Sequence, residues 1–385
     1  PYAEQDVYTN YWYDGPPYEY QLDAGVTRNT AINAPSSGRI VPSTLVNGNL
    51  ETTYAVDPHL KTGSSQLFNL AVERMLGKDL SLDVAYVGTV AHNLSYQIGD
   101  INANPNNSKN NYDNRLTSDL GKIQYLGDYG SASYNSLQVK FTKRQSRNLS
   151  FLLSYTYGHD LDNGPPPFNL GHYNNNEPQN PYNLHSEWGN ADNDVRHNFV
   201  FSGLYKLPIG QGQHFGSGWS NLTNAVLGGW QLNSIYFMRT GTPINIIRGN
   251  NPTSVLPGLR PDVIGNPVLP RSQRTFRKYF NTAAFADGSA YFNCTGKGPN
   301  TCNAPGDAAR NLLYGPGYIN LDASLFKTFD LAERYHLETR LEMFNAFNTP
   351  HFDNPDGDEN DISFGQIGGT YGNQRILQIA GKFIF

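Results

Sequence analysis

Bulky and polar residues alternate with a period of two in nine segments of this chain. In the first of them, Phe68, Leu70, Val72 and Leu76 share one parity. A β-strand places successive side chains on opposite faces, so each segment is predicted to form a strand with one apolar face. The nine predicted strands are residues 66–76, 80–90, 134–144, 149–158, 194–207, 229–240, 318–329, 334–347 and 373–385.

The last segment keeps this pattern to the final residue. Leu377, Ile379, Phe383 and Phe385 share one parity, whereas Gln374, Gln378 and Lys382 share the other. Most domains end in a frayed polar tail. An apolar face that continues to the last residue therefore indicates a strand that is anchored along its whole length.

The connections between the predicted strands alternate between short and long. A transmembrane barrel has tight turns on one side and large loops on the other, and loops above about 15 residues are uncommon in compact soluble domains. A soluble β-sandwich shows the same strand pattern, but nothing in its architecture requires short loops at one end and long loops at the other. We therefore predict an all-β fold, an antiparallel up-and-down transmembrane β-barrel with long extracellular loops. In chain order the connections are residues 77–79, 91–133, 145–148, 159–193, 208–228, 241–317, 330–333 and 348–371.

This orientation divides the chain into two regions. Residues 1–65 show no convincing strand and are predicted to be an extracellular loop region. Residues 66–385 are predicted to hold the barrel strands, with short periplasmic turns and long outer loops, so that the last strand runs inward. The chain begins with Pro1 and carries no signal peptide, so we expect a processed chain or a fragment.

The composition agrees with a membrane β-protein. The mean hydropathy is −0.54 and no run of about 20 apolar residues exists, which excludes a transmembrane helix. A membrane-spanning strand needs only about 9–11 residues, half of which can be polar. The net charge of −5 gives no electrostatic reason to expect nucleic-acid binding.

Charged residues on the polar parity admit two interpretations. They could line a ligand path, or they could bond to one another and to a plug, because the lumen residues of a large barrel stay polar. We favour the second for any single residue, and Arg340, which lies between Glu338 and Glu342, is predicted to be structural. The set comprises Glu73, Asp83, Lys140, Arg196, Arg239, Asp322, Glu338, Arg340, Glu342 and Lys382.

Two loop features could carry chemistry or contacts. Asp356, Asp358 and Asp361 form an acidic loop that is a weak candidate for Ca²⁺, since hard cations prefer oxygen ligands, but a solvated loop is the simpler interpretation. Cys294 and Cys302 are eight residues apart in a stretch rich in Gly, Pro and Asn. A local disulfide is predicted for them, with two free thiols as the alternative.

Aromatic residues are concentrated in the predicted outer loops. Tyr11, Trp12, Tyr13 and Tyr173 lie in segments where tyrosine and asparagine dominate. Such side chains make rigid amphipathic contacts suited to sugars or peptides, or they pack the loops onto each other.

An ordered set of motifs resembles a known family. The set resembles the C-terminal barrel portion of Oar-like TonB-dependent outer-membrane receptors, which carry a carboxypeptidase-regulatory-like domain, over about residues 57–385. The motifs include "SYNSLQVKFTKR" (133–144), "RHNFVFSGLYKLPIG" (196–210), "GGWQLNSIYFMRTGTP" (228–243), "ARNLLYGPGYINLDASLFKTF" (309–329) and "RLEMFNAFNTPHF" (340–352).

The resemblance implies a barrel of about 22 strands, filled by an N-terminal plug, in the outer membrane of a Gram-negative bacterium. It implies uptake of a nutrient ligand, with TonB acting through an N-terminal part that this sequence lacks. About nine strands are present, so we expect the C-terminal part of a receptor or one piece of a split one. The other implied partners are outer-membrane lipid, lipopolysaccharide and the barrel-assembly machinery, for which Phe385 and Phe383 resemble the terminal signal.

No enzymatic motif is present. The sequence has no G-x-S-x-G elbow, H-E-x-x-H pair, P-loop or dinucleotide-binding fingerprint. We therefore predict a protein that is not an enzyme and needs no cofactor. The alternative to transport is a structural or adhesin-like outer-membrane barrel whose loops bind a partner, and a soluble all-β binding module is the third hypothesis.

Overall fold

The computed structural model places the predicted strands in one large sheet. It describes residues 53–104, 116, 122–146, 148–164, 178–248, 259–286, 305–332 and 334–385. In these residues fifteen strands, numbered in chain order, nine of them long, account for most of the regular structure. The long strands are β2 (Ser64–Met75), β3 (Leu80–Ile98), β4 (Ile123–Ser146), β5 (Leu149–Asp162), β7 (His197–Lys206), β8 (Trp230–Arg239), β11 (Tyr318–Ala332), β12 (Tyr335–Phe344) and β15 (Ile376–Ile384).

All nine predicted segments are strands, and each pairs antiparallel with its neighbour in the chain. The order across the sheet is β15-β12-β11-β8-β7-β5-β4-β3-β2, an up-and-down arrangement. Within the described residues β2 and β15 are the two edges, and every β2 residue is exposed. The all-β antiparallel prediction is confirmed.

Six short strands complete the described set. The prediction that residues 1–65 contain no strand is wrong at β1, which pairs parallel with β4 beside the loop end of the sheet. The two pairs β9–β10 and β13–β14 form small antiparallel ribbons within the long connections. The short strands are β1 (Thr53–Val56), β6 (Gly189–Asn190), β9 (Pro243–Ile244), β10 (Leu313–Tyr314), β13 (His351–Phe352) and β14 (Thr370–Tyr371).

The strand register sorts the side chains into an apolar face and a polar face. Residues that pair across neighbouring strands point to the same face of the sheet. A row of such residues, one from each of seven neighbouring strands, therefore shows which side chains that face carries. The apolar face is sampled by the row Val72, Val84, Val139, Tyr155, Phe199, Met238 and Ile319. The polar face is sampled by the adjacent row Ala71, Ala85, Gln138, Thr156, Asn198, Arg239 and Tyr318.

The observed strands leave tight connections at one end of the sheet, apart from the β7–β8 connection, and long connections at the other. These are called here the short-turn end and the loop end. Gly77 lies in the tight connection between β2 and β3 with φ at +134°, a conformation that glycine adopts without strain. At the loop end β3, β4 and β5 are longer than predicted, and β4 has 24 residues. The apolar alternation that guided the prediction ends before these strands end. Beyond that point the strands still pair through backbone hydrogen bonds, which require no apolar pattern in the side chains.

The longest connection at the short-turn end, between β7 and β8, contains a short helix, α1 (Asn221–Leu227). Its N-cap Ser220 accepts a hydrogen bond from the amide of Thr223. Lys327 donates to the carbonyls of Asn224 and Gly228, where the negative end of the helix dipole lies. Trp230 Nε1 donates to the Val226 carbonyl at 3.1 Å. The helix is thus fixed to strands β8 and β11.

No helix in the described part of the chain is long and apolar enough to cross a bilayer.

Candidate functional site

The long connections fold together at the loop end into one body, here called the loop assembly. It comprises residues 178–194, 244–248, 259–286, 305–314 and 351–369. Its hydrophobic core is Ile244, Ile246, Phe280, Phe285 and Leu313. Phe364, from the last connection, packs edge-on against Phe280 with 5.2 Å between ring centroids. Two connections, β8–β11 and β12–β15, therefore share one core.

A buried ion pair joins two of these connections. Arg260 Nη1 lies 2.5 Å from Glu187 Oε2, and both side chains are only 2% exposed. Arg260 Nε also donates to the Ala308 carbonyl at 2.7 Å. Gln179 accepts a hydrogen bond from the Arg260 amide and donates one to the Gly306 carbonyl. Because a buried ion pair of this kind tolerates little movement, it fixes the relative position of the connections.

A second arginine ties the loop assembly to the sheet. Arg310 pairs with Asp162, at the end of β5, and with Asp192 at 3.3 Å. Its Nε donates to the Glu187 carbonyl at 3.0 Å. Burial lowers the pKa of Arg310 to about 10, so it stays charged at neutral pH.

A hydrogen-bonded cluster lies beside this arginine. The Tyr314 hydroxyl donates to Asp194 Oδ2 at 2.5 Å, and Arg196 Nε lies 3.0 Å from the same oxygen. Burial, helped by the hydrogen bond to Asp194, raises the pKa of Tyr314 to about 12. The phenol is therefore neutral at physiological pH and holds β10 against the start of β7.

Stacked rings line the polar face at the loop end. Tyr318 stacks on His351 with 3.9 Å between ring centroids, and on Tyr371 at 5.7 Å. His351 Nε2 donates to the Ile319 carbonyl at 2.8 Å, which fixes the imidazole. Arg239 Cζ lies 5.8 Å from the centre of the Tyr318 ring. These three rings are called the aromatic rim. His351 is buried beneath the stack, and the partly exposed rings of Tyr318 and Tyr371 offer flat apolar surfaces beside a cation, which suits sugar rings or peptides.

Charged residues on the polar face bond within the wall, as we favoured from the sequence. Lys140 Nζ lies 3.6 Å from Asp83 Oδ2 on the neighbouring strand. Arg340 lies 2.5 Å from Glu338 and 4.0 Å from Glu342, which agrees with its predicted structural role. Glu338 faces Lys382 of β15 in the register.

The terminal phenylalanines lie at the short-turn end. Phe383 stacks on Tyr335 at 5.9 Å and on Phe385 at 6.2 Å, and Phe385 is 90% exposed just beyond β15. They thus form an exposed aromatic cluster, and their role as an assembly signal stays a prediction.

The acidic loop is folded on itself. Asp356 accepts hydrogen bonds from the Asp358 amide and the Ser363 hydroxyl, and Asp358 accepts one from the Asn360 amide. Among the described residues, no three Asp, Glu, His or Cys side chains converge as ligands of a metal. The structure therefore does not assemble Asp356, Asp358 and Asp361 into the Ca²⁺ site considered above. Burial, with Asp361 and Asp356 nearby, raises the pKa of Asp358.

Six residues named from the sequence lie outside the described residues: Tyr11, Trp12, Tyr13, Tyr173, Cys294 and Cys302. The residues that sequence reasoning missed are Glu187, Arg260, Arg310 and His351. They come from three different connections, with Arg260 and Arg310 in the same one, and Arg260 is 73 positions from Glu187. The sequence feature that could have revealed the two arginines is an arginine next to Leu, Pro or Ala in a long loop, as in "GLRPD" and "AARNLL".

Comparisons with known proteins place the fold. A family model described as outer membrane beta barrel domain matches residues 1–378. No curated protein gives a significant match. Among solved structures, the outer membrane transporter YddB from Escherichia coli is similar at 10% identity and a TM-score of 0.46, over 88% of this chain and 35% of its own.

Two further solved structures are similar over much of this chain. BauA, the ferric preacinetobactin receptor from Acinetobacter baumannii, matches at 9% identity and a TM-score of 0.41, over 83% of this chain and 29% of its own. The ferric-catecholate import receptor Fiu from E. coli K12 matches at 11% identity and a TM-score of 0.41, over 85% and 28%. The chain thus spans about a third of the length of these proteins.

Proposed function

We propose that this chain forms part of a receptor for energised nutrient uptake. The proposal starts from the family: the chain belongs to the outer membrane beta barrel domain family and lies in the outer membrane. In this role the nine long strands are part of the wall, and the loop assembly binds the ligand outside the cell. TonB would supply the energy through a part of the receptor outside this sequence, as the Oar-like resemblance implies.

The observation that carries the proposal is the rigid loop assembly beside the polar face. The pair Arg260–Glu187 and the contacts of Arg310 hold two connections in fixed positions relative to each other and to the end of β5. A site whose loops are already ordered loses less conformational entropy when a ligand binds. The aromatic rim lies on the polar face at the same end, so a ligand held by the loops would meet it on the way inward.

The experiment compares cells carrying the native gene, cells lacking it, and cells lacking TonB. Mass spectrometry measures which peptides and oligosaccharides disappear from a complex medium. Receptor function predicts compounds that are depleted only when both the gene and TonB are present. Depletion without TonB would indicate a passive channel, and no difference between the strains would favour the structural or adhesin-like alternative.

A matched pair of variants tests the aromatic rim. Replacing Tyr318 and Tyr371 by alanine removes two stacking surfaces from the polar face, whereas Tyr205→Ala removes one tyrosine from the apolar face. Stacking on an aromatic ring contributes about 0.5–1.5 kcal/mol per ring beyond the burial of apolar area. We therefore expect uptake to fall at least about tenfold in the rim variant and to stay unchanged in the control.

A further inference from the structure

A cleft of about 970 Å³ lies at the loop end, between the sheet and the loop assembly. One wall is formed by Tyr155, His197, Met238 and Ile319. The register places Tyr155, Met238 and Ile319 in the apolar-face row described above. The hydrogen bond between the Tyr155 hydroxyl and His197 Nδ1, at 2.8 Å, puts His197 on the same face. This wall of the cleft therefore belongs to the apolar face.

The apolar face of an outer-membrane barrel contacts lipid. Since the loop end is predicted to be extracellular, this wall of the cleft faces the outer leaflet of the membrane, whereas Arg239, which also lines the cleft, comes from the polar-face row. A soluble nutrient on its way inward would meet the polar face instead. The wall formed by Met238 and Ile319 thus lies on the face of the sheet opposite to the aromatic rim.

The opposite wall is a basic segment, residues 264–280, here called the overhang. Residues 263–286 include Arg271, Arg274, Arg277 and Lys278 but no Asp or Glu. None of these four cations forms an ion pair with a carboxylate in the described part of the chain. Arg271 is exposed, and it lines the cleft together with Arg274.

The other two arginines at the cleft are already engaged. Arg196 pairs with Asp194 at 3.0 Å, and Arg239 lies over Tyr318 on the polar face. Arg274 is positioned by its own segment, since Nε donates to the Leu269 carbonyl at 2.9 Å and the guanidinium lies 5.2 Å from the Tyr279 ring centre. Arg271 and Arg274 therefore present positive charge that no described carboxylate neutralises.

Apolar side chains accompany these cations. Ile264, Val268 and Phe276 are 69%, 51% and 60% exposed on the overhang. Val268 and Leu269 line the cleft opposite Met238 and Ile319. A ligand that satisfies both walls carries anionic groups for the arginines and acyl chains for the apolar surfaces. Guanidinium groups bind phosphate in bidentate fashion.

We propose that the cleft and the overhang bind a phosphorylated, acylated glycolipid of the outer leaflet. Its phosphate lies between Arg271 and Arg274, and an acyl chain runs along Met238 and Ile319 toward the membrane. This site fixes the height and tilt of the loop end in the membrane. It does not depend on the uptake function, because the wall that holds the acyl chain, Met238 and Ile319, belongs to the face opposite to the aromatic rim.

The test uses the full chain, purified in detergent and checked for folding by its heat-modifiable mobility. Native mass spectrometry measures the binding of bis-phosphorylated lipid A, dephosphorylated lipid A and inorganic phosphate. Arg271→Gln with Arg274→Gln removes the two cations. Lys61→Gln with Arg375→Gln removes two exposed charges elsewhere at the loop end and serves as the matched control.

We expect the native chain and the control to retain bis-phosphorylated lipid A. The Arg271/Arg274 variant, and the dephosphorylated lipid on the native chain, should bind at least about tenfold more weakly, because charge-assisted contacts are lost. Equal retention by the variant and the control would overturn the proposal. Displacement of the lipid by millimolar inorganic phosphate would also overturn it, since the site would then recognise a soluble anion.

Discussion

Arg260 and Glu187 form a bidentate ion pair, with Nη1–Oε2 at 2.5 Å and Nη2–Oε1 at 3.1 Å, although 73 positions separate them in the chain. Replacing Glu187 by glutamine leaves the arginine charge buried without a counter-ion. We expect the free energy of opening the loop assembly, measured by native-state hydrogen exchange, to fall by about 3–5 kcal/mol. An apolar double variant, Glu187→Leu with Arg260→Met, should lose less than the single one.

The control for this pair is Arg340→Gln, which breaks the ion pair with Glu338 on the polar face, where Arg340 is 45% exposed. Pairs exposed to water contribute about 0–1 kcal/mol. Similar losses in Glu187→Gln and Arg340→Gln would show that the buried pair does not organise the loops.

Val139 and Gln138 are neighbours in β4 that lie on opposite faces of the sheet. Val139→Arg places a cation on the apolar face near the middle of the strand, which costs about 2–4 kcal/mol near the bilayer midplane. Gln138→Arg adds the same charge to the polar face. Urea titration of the folded protein in lipid vesicles should show a large loss of unfolding free energy for the first and a small one for the second. The reverse order would invert the assignment of the faces.

Phe385 ends the chain 90% exposed, stacked on Phe383. If this terminal ring is read by the barrel-assembly machinery, deleting Phe385 should reduce the amount of heat-modifiable folded protein in the outer membrane several-fold. Phe385→Tyr retains an aromatic terminus and is the matched control. Unchanged assembly after the deletion would limit the ring to a place in the interfacial aromatic girdle.

Asp358 gives the loop assembly a pH dependence. Its pKa is raised above the ordinary value of an aspartate, first by burial and then by Asp361 and Asp356. The folded state therefore binds more protons than the unfolded state between these two pKa values, and stability falls as the pH rises through that window. Protection factors of residues 353–367, which are exchange rates corrected for the intrinsic pH dependence of amide exchange, should be larger near pH 4.5 than at pH 7.5.

Asp358→Asn removes the charge and keeps an acceptor for the Asn360 amide, which bonds to Asp358 Oδ1 at 2.9 Å. The variant should lose most of this pH dependence and exchange more slowly at pH 7.5 than the native chain. A variant with the native pH dependence would assign the effect to another group.

The sequence predicted the nine long strands because lipid on one side and polar groups on the other impose a period of two on every strand. It underestimated β3, β4 and β5 at the loop end, where backbone pairing continues without that pattern. β1 was missed because four residues in a polar region carry no periodic signal.

The contacts of the loop assembly could not be predicted in this way. The partners of Arg260 and Arg310 lie in other connections, and nothing local in the sequence pairs them. His351 stands in a motif quoted for the family resemblance, yet its stacking on Tyr318 depends on how the last connection folds back over β11. The overhang, by contrast, carries a visible run of four cations without a carboxylate, a charge pattern that sequence reasoning can detect.

The central claim is that the apolar face of this sheet contacts lipid in the outer membrane. Single cysteines at positions 319 to 325 of β11, with Cys294 and Cys302 replaced by serine, test it in intact outer membranes. A water-soluble maleimide should label positions 320, 322 and 324, and a lipid-soluble quencher should reach fluorophores at 319, 321 and 325. Uniform labelling along β11, or the opposite periodicity, would contradict the account.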